Sequence, residues 1–485
     1  MRRPAEAGRD LIRAFRRRAP ALLFLLLILP SCQRSPAAHE GPVVLITFDS
    51  LRADVVGGLG GPPGLMPHLE ALLGEADWGG RAVASSSWGA PAMASLFTGL
   101  SPWQHQVLWA GHARLSPALF TLPEALKARG YETAGYPAGP WASRRLGYAQ
   151  GFDAFAGLDG ANAAGRLERL GRGRTFVWIH IPQPQVPWIR RDRLIPRLGP
   201  NPPQLPVRIT PRQLEPFFDP AVPLPPGRRR RFEAMYRLNA AWADERFGRL
   251  LDALRESGQW DRTLLVVTSS HGEELGEKGQ ILTGGNLGRQ LLEVPLAVKL
   301  PAGFDRRIEP PETRRVAAAR IWATLVEAAG GDAPPAVVPS LFRPAPEAVL
   351  SELYLTNGTN RFSLVEGDDQ LLWESRFAPP DPGYYTADTP EAALRKGKKL
   401  SASSIPSSAA LARLLGPFEA TPPLAGQGSP RLTLERWEER GSREVKDPRR
   451  TEELARRLVR MWGAFSPGDV PPGEEAREWY TGKPP

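Results

Sequence analysis

A chain of 485 residues has room for one large domain or two ordinary ones, and its single cysteine excludes a disulfide framework within the chain. Hydrophobic residues at 42% and charged residues at 24% are those of a globular protein and exclude wholesale disorder. The net charge of +10 argues little for nucleic acid: residues 1–31 hold seven arginines against Glu6 and Asp10, about half of the excess, and no segment interleaves aromatic and basic residues, so no nucleic-acid partner is expected.

The arginine-rich stretch 2–18 leads into an apolar run from Ala19 to Leu29, too short to span a bilayer comfortably. It ends at Leu29-Pro30-Ser31-Cys32, which resembles a bacterial lipobox, with Pro30 a mild departure. Because Cys32 is the only cysteine, lipidation there accounts for it. The expectation is a signal peptide over 1–31 and a tether over 32–41. The globular part then lies outside the cytoplasm, held to a membrane through Cys32; an uncleaved signal anchor is the alternative and has the same consequence.

The continuous apolar run Val43–Phe48 reads as a buried parallel strand, and it delivers Asp49 to the strand's C-terminal end, where open α/β sheets bind ligands. Residues 66–76 read as a helix, and 120–137 as a helix capped by Thr121 running into a strand. A buried strand is expected over 174–181, a long amphipathic helix over 231–258, and further strands near 262–270 and 294–301. Strands alternating with helices predict an α/β domain over 42–310, a mostly parallel sheet sandwiched by helices. Residues 196–231 form a Pro- and Arg-rich excursion with little periodicity. Its run Arg228–Arg231 opens the long helix and serves as a solvated basic face or an anion patch. From 311 to 485 the pattern loosens into a smaller α+β subdomain, with strand-like pieces at 362–367 and 371–376, a low-complexity stretch at 398–415, and a last amphipathic helix at 451–465.

From Pro42 to about Gly303 the order of motifs resembles the sulfatase family of the alkaline phosphatase superfamily. "LITFDSLRAD" is similar to its opening strand and metal loop, and "SSSWGAPAMASLFTGLSPWQHQV" to its nucleophile segment. "FVWIHIPQPQVPW" resembles its His-rich strand end, "LLVVTSSHGEELGEKG" its second metal strand and "LLEVPLAVKLPAG" its closing strand. The resemblance implies a divalent cation, Ca²⁺ or Mg²⁺, held by strand-end carboxylates, a nucleophile beside it, and basic groups on the transferred anion.

Position by position, that chemistry is thinned. Paired Asp at the first metal loop becomes Asp49-Ser50, and the second metal strand offers Ser270-His271 where the family carries an acid, so any cation would be held weakly. Aligned on Pro91, the nucleophile position is Gly89 and the anchoring Arg is Met93; a slip of two or three residues would promote Ser87 or Ser86. His180 is kept, but Gln183 and Gln185 replace the acid and second His that follow it. Thr283, which stands where the family has His or Lys on the anion, and Arg52 are the candidate anion-binding residues, with a turn-capping pair between Arg52 and Asp49 as the plainer role. His105 matches a family position near the site; for it, as for His180 and His271, a hydrogen-bonded structural histidine serves equally well. His39 falls in the tether, His112 in a loop and His68 on a helix surface. The substitutions fall together at the metal, nucleophile, clamp and acid–base positions. They point first to a membrane-tethered sulfatase-like protein without catalysis that binds an anionic ligand or a partner. Two alternatives remain: an active sulfuric or phosphoric ester hydrolase with a remodelled site, and an envelope scaffold.

Overall fold

In the computed structural model the described residues are 37–108, 113–139, 141–219, 221–309, 315–334, 337–344, 348–355, 359–376, 431–438 and 441–464. The signal peptide, Cys32, His112 and the 398–415 stretch lie outside them.

The apolar runs form strands because both their faces are buried. Along β1 (Val43–Asp49), Val44, Ile46 and Phe48 enter one hydrophobic layer while Val43 and Leu45 enter the opposite one. β5 (Thr175–Pro184) and β8 (Leu264–Ser269) divide their side chains the same way. With β2 (Trp78–Val83), β3 (Glu132–Tyr136), β4 (Ala154–Phe155), β11 (Glu293–Lys299) and β12 (Arg315–Ala317) they build an eight-stranded sheet of order β12-β2-β11-β8-β1-β5-β3-β4. Every neighbouring pair is parallel except those of β11, which runs against both β2 and β8. The sheet is therefore mostly parallel and helix-covered, as expected. It continues past residue 310, since β12 pairs with β2 and the helix Arg320–Ala328 is buried in one of the two layers.

One layer is filled by the helices Pro67–Glu75, Gly160–Glu168 and Pro226–Glu256. The last starts five residues before its expected bound and buries each apolar position expected of it: Phe232, Met235, Ala240, Phe247, Leu250, Leu251 and Leu254. Its Arg228 lies over the Phe217 ring and Arg229 pairs with Glu233 at 2.9 Å. The opposite layer holds the helices Gly89–Thr98, Leu122–Ala128 and Arg320–Ala328. Thr121 caps the second of these, its backbone N–H donating to Glu124 at 3.0 Å in a capping box.

The excursion contains short pieces: β6 (Trp188–Ile189) pairs with β7 (Arg208–Ile209), and a helical turn spans Pro211–Leu214. β9 (Glu274–Leu275) and β10 (Ile281–Leu282) form a hairpin beyond β8. The C-terminal part is an antiparallel sheet of β13 (Ala348–Tyr354), β14 (Thr359–Glu366), β15 (Asp369–Arg376), β16 (Arg431–Glu438) and β17 (Gly441–Glu444). The helix Pro448–Ala464 packs on it through Leu454, Ala455 and Leu458. This sheet meets the α/β part where Ser351 Oγ donates to the Ala84 carbonyl at 2.7 Å and the Glu352 N–H to that of Ser85 at 2.9 Å, directly ahead of the nucleophile segment.

The last residues expected in the tether are packed. His39 is buried, its N–H donates to the Ala328 carbonyl at 2.7 Å, and its own carbonyl accepts from the Tyr131 hydroxyl at 2.7 Å. Among the described residues, no helix is long and apolar enough to cross a membrane.

Candidate functional site

Three parallel strands end together. β1 delivers Asp49 and Ser50, β8 leads into Ser270 and His271, and β5 carries His180 and aligns Pro184 opposite Asp49. All five polar side chains are buried. The turn after β1 is sharp, with Ser50 at φ 65°. Tyr236 of the long helix clamps it: its hydroxyl donates to the Ser50 carbonyl at 2.7 Å and accepts the Arg52 N–H at 2.9 Å.

The side chains then satisfy one another. The Trp178 indole donates to Thr47 Oγ1 at 3.0 Å, and that hydroxyl meets His180 Nδ1 at 2.8 Å. Nε2 of His180 faces the carboxylate oxygen Asp49 Oδ2 at 3.7 Å, which assigns the imidazole proton to Nε2 and leaves Nδ1 to accept from the Thr47 hydroxyl. On the other side Ser270 Oγ donates to Asp49 Oδ1 at 3.1 Å and contacts His271 Nδ1 at 2.9 Å, while His271 Nε2 meets Ser50 Oγ at 3.3 Å. Ser270, which replaces the expected acid, thus bridges Asp49 and His271. Burial acts to raise the Asp49 carboxyl, and the neighbouring imidazoles and the Ser270 hydroxyl outweigh it, holding the group below its ordinary value. Burial pushes His271 down to about 4 against the pull of Asp49, so it is neutral.

Glu273, which sequence reasoning missed, is fully buried behind this cluster with neither carboxyl oxygen hydrogen-bonded. Burial, together with the charge of Asp49, pushes it well above the usual carboxylate range. Its only signal in the sequence was its place two residues after His271.

Gly89 opens the helix Gly89–Thr98 and is buried. A Cβ built there would lie 2.7 Å from Cδ1 of Trp141 and 3.2 Å from its Cγ. The nucleophile position therefore lacks a side chain, and an indole fills the direction one would take. That indole packs edge-on against Trp88, with centroids 5.1 Å apart. Two residues earlier, the Cβ direction of Gly139 points at Asp49 Oδ2, 3.8 Å away. Gly139 and Trp141 thus place the segment after β3 across the site, from the carboxylate to the nucleophile position.

Other expected residues stand elsewhere. Met93, at the anchoring-Arg position, is buried in the apolar layer with Ala90, Ala94 and Phe97. His105 lies against the same helix: its Nδ1 accepts the Val107 N–H at 3.1 Å, so its Nε2 carries the proton facing Ser95 Oγ at 3.0 Å. Burial holds it at about 3, a neutral structural histidine. Arg52 is committed to a bidentate pair with Asp54 at 2.8 and 2.6 Å and to Glu277 at 2.7 Å, so the turn-capping role suits it, with Asp54 and Glu277 in place of Asp49. Thr283 is half-buried beside Gly284, whose N–H donates to the Ser87 carbonyl at 3.0 Å. The hydroxyls of Ser86 and Ser87 are buried without a hydrogen-bond partner.

The donor set fits a firmly held divalent cation poorly. Hard cations take six or more oxygens, several of them charged. Here the strand ends supply one carboxylate, Asp49, and its Oδ1 already accepts from Ser270. Among the described residues no group of three or more His, Cys, Asp or Glu is arranged to hold a metal ion.

Comparison with known proteins agrees with the order of these pieces. The family model described as Sulfatase matches residues 42–166 and 226–331, leaving out β5 and most of the excursion. The chain is 34% identical over 93 residues to a multifunctional alkaline phosphatase superfamily protein, PehA, of Trinickia caryophylli, covering 19% of this chain and 17% of that protein. It is 26% identical over 324 residues to an ulvan-active sulfatase of Formosa agariphila, covering 59% and 63%. The matches therefore span less than two thirds of either relative. In fold the chain is similar to a phosphonate monoester hydrolase of Silicibacter pomeroyi, with a TM-score of 0.52 at 20% identity over 74% of this chain and 94% of that one. It is also similar to a 2-O glycosaminoglycan sulfatase, with a TM-score of 0.54 at 15% identity over 74% and 91%. Motif order, sheet topology and the family match agree: the chain belongs to the sulfatase family of the alkaline phosphatase superfamily.

Proposed function

We propose that this protein keeps the sulfatase fold without sulfatase chemistry and works outside the cytoplasm, tethered through Cys32, by binding rather than by hydrolysis. The observation that carries the reading is the pair Gly89–Trp141. Glycine supplies no nucleophile, and the indole 2.7 Å from its Cβ direction occupies the space through which a nucleophile would reach an ester. The contacts around Asp49 support it, because both nitrogens of His271 are engaged by Ser270 and Ser50, while His180 turns Nδ1 to Thr47 and Nε2 toward Asp49, so both rings face groups of the cluster. The clamp position, Met93, carries no charge to stabilise a transferred sulfuryl group.

The test is turnover by the full chain with aryl sulfate, phosphate monoester, phosphate diester and phosphonate monoester, each with Ca²⁺, Mg²⁺, Mn²⁺ or Zn²⁺ supplied. No turnover is expected. Activity that Asp49→Ala and His271→Ala both abolish would overturn the reading. The tether is tested by labelled fatty acid in cells, expected on the wild-type chain and absent from Cys32→Ala.

A second reading, an ester hydrolase with a displaced serine nucleophile, rests on the unpartnered buried hydroxyls of Ser86 and Ser87. It requires activity lost in Ser86→Ala or Ser87→Ala and kept in Gly89→Ala.

A further inference from the structure

Away from Asp49, on the outer side of the long helix, arginines gather on one indole. Arg191, just after β6, stacks on Trp242 with its guanidinium carbon 3.4 Å from the ring centroid. Arg246, one turn further along the helix, lies 5.5 Å from the same centroid. Its Nη1 donates to Gln183 Oε1 at 2.9 Å, which leaves the NH₂ of the Gln183 amide as a donor. Arg249 is exposed one turn beyond.

The carboxylates of this region are committed elsewhere. Glu245 takes Arg193 through contacts of 2.7 and 2.6 Å, with Arg197 at 3.7 Å. Asp244 accepts the backbone N–H groups of His68 and Leu69 at 3.1 and 2.9 Å, and Asp192 pairs with Arg190 at 2.9 Å. Among the described residues Arg191, Arg246 and Arg249 have no ion-pair partner, and Arg191 Nε is buried with no acceptor. Half-buried like charges on one ring are unfavourable unless something neutralises them. Burial, and then the charges of Arg249 and Arg191, make the Arg246 cation harder to hold; burial and Arg193 do the same for Arg191. Guanidinium forks are the groups best matched to paired oxygens of a tetrahedral anion.

We propose that Arg191, Arg246 and Gln183, arranged on Trp242, form a binding site for a tetrahedral oxyanion, a sulfate or phosphate group. The anion supplies the missing counter-charge, accepts from both guanidinium groups and from the Gln183 amide, and lies against the indole edge. The site uses none of the groups around Asp49 and stands whether or not the protein hydrolyses esters.

The test is isothermal titration of the full chain at low salt with inorganic sulfate, inorganic phosphate, glucose 6-sulfate and glucose 6-phosphate, against chloride at matched ionic strength. Saturable binding is expected for at least one probe and not for chloride. Arg246→Gln and Arg191→Gln should each weaken it at least about tenfold, and Arg246→Lys less than Arg246→Gln. Arg193→Gln, whose parent side chain is already paired, should bind as wild type. Binding of the inorganic ions identifies a free-anion site; binding of the sugar esters alone identifies an ester site. Absence of saturable binding by every probe overturns the proposal. So does equal loss in Arg193→Gln, or wild-type affinity in both Arg191→Gln and Arg246→Gln with unchanged circular dichroism.

Discussion

The packing of Trp141 on Gly89 can be measured as a coupling energy. Gly89→Ala adds one carbon, which would lie 2.7 Å from Cδ1, 3.2 Å from Cγ and 3.3 Å from Cβ of Trp141. Comfortable carbon contacts need about 3.5–4.0 Å, so the ring must move by close to ~1 Å. It is not free to do so, being held edge-on by Trp88 at an interplanar angle of 87°. Overpacking of this kind costs about 1–3 kcal/mol, and the better helix propensity of Ala returns less than about 1 kcal/mol in the first turn. The expected net loss is about 1–2 kcal/mol. In a Trp141→Ala background the obstruction is gone, and Gly89→Ala should be neutral or stabilise by a few tenths. Equilibrium urea unfolding of the four proteins gives the cycle, with an expected coupling of about 1–2 kcal/mol. If Gly89→Ala costs the same with and without the indole, Trp141 does not fill the nucleophile position and the main support for a non-catalytic reading is lost.

Three further outcomes are expected. Tyr236→Phe strands the Ser50 carbonyl and the Arg52 N–H in a buried turn and should lower stability by about 2–3 kcal/mol in urea unfolding, with little change in secondary structure. Asp244 caps the helix Pro67–Glu75 from a distance, and burial lifts it to about 6 despite those bonds. The folded state therefore holds a proton that the unfolded chain has released, so the contribution of Asp244 to stability should fall as pH rises from about 4 to about 6, read as a change across that window in the difference between wild type and Asp244→Asn when unfolding is followed at several pH values. His105 has the opposite sign: burial holds it at about 3, while the unfolded chain takes up a proton near 6.5. Stability should be lost as pH drops below about 6.5, by up to about 1.4 kcal/mol per unit, and His105→Gln should reduce that slope in acid titrations.

The scaffold was legible because its signals are local. Val43–Phe48 is apolar on both faces, and no helix or exposed strand accounts for such a run followed by a lone acid. Asp49, Ser50, Ser270, His271 and His180 came together because each was tied to the end of such a strand. The direction of β11 was not legible, since a strand buried on both faces reads the same whichever way it runs. For His105, which matches a family position, and for Arg52 the sequence left a structural role open beside a functional one, because a side chain's partner is chosen by the tertiary neighbour it faces: Ser95 on the nucleophile helix for His105, and for Arg52 Asp54 together with a glutamate on the loop beyond β9. Trp141 carries no periodic or motif signal, and its contact with Gly89 exists only once β3 and the nucleophile helix are packed.

The replaced positions are not equivalent to holes. A carboxylate lost at 270 would leave Asp49 and His271 short of a partner, yet Ser270 Oγ bridges them at 3.1 and 2.9 Å. A nucleophile lost at 89 would leave a cavity, yet an indole reaches that point. An arginine lost at 93 would leave a polar gap, yet Met93 joins the apolar layer behind the sheet. Gln183, in place of an acid, turns away from the site and accepts from Arg246. Buried polar groups left unpaired cost about 1–3 kcal/mol each, so a site that lost function and was never repaired would carry that penalty at each position. Only Glu273, Ser86 and Ser87 carry it among the described residues of this site. Packing rather than vacancy at the substituted positions is what a protein selected to stay folded without the reaction would show.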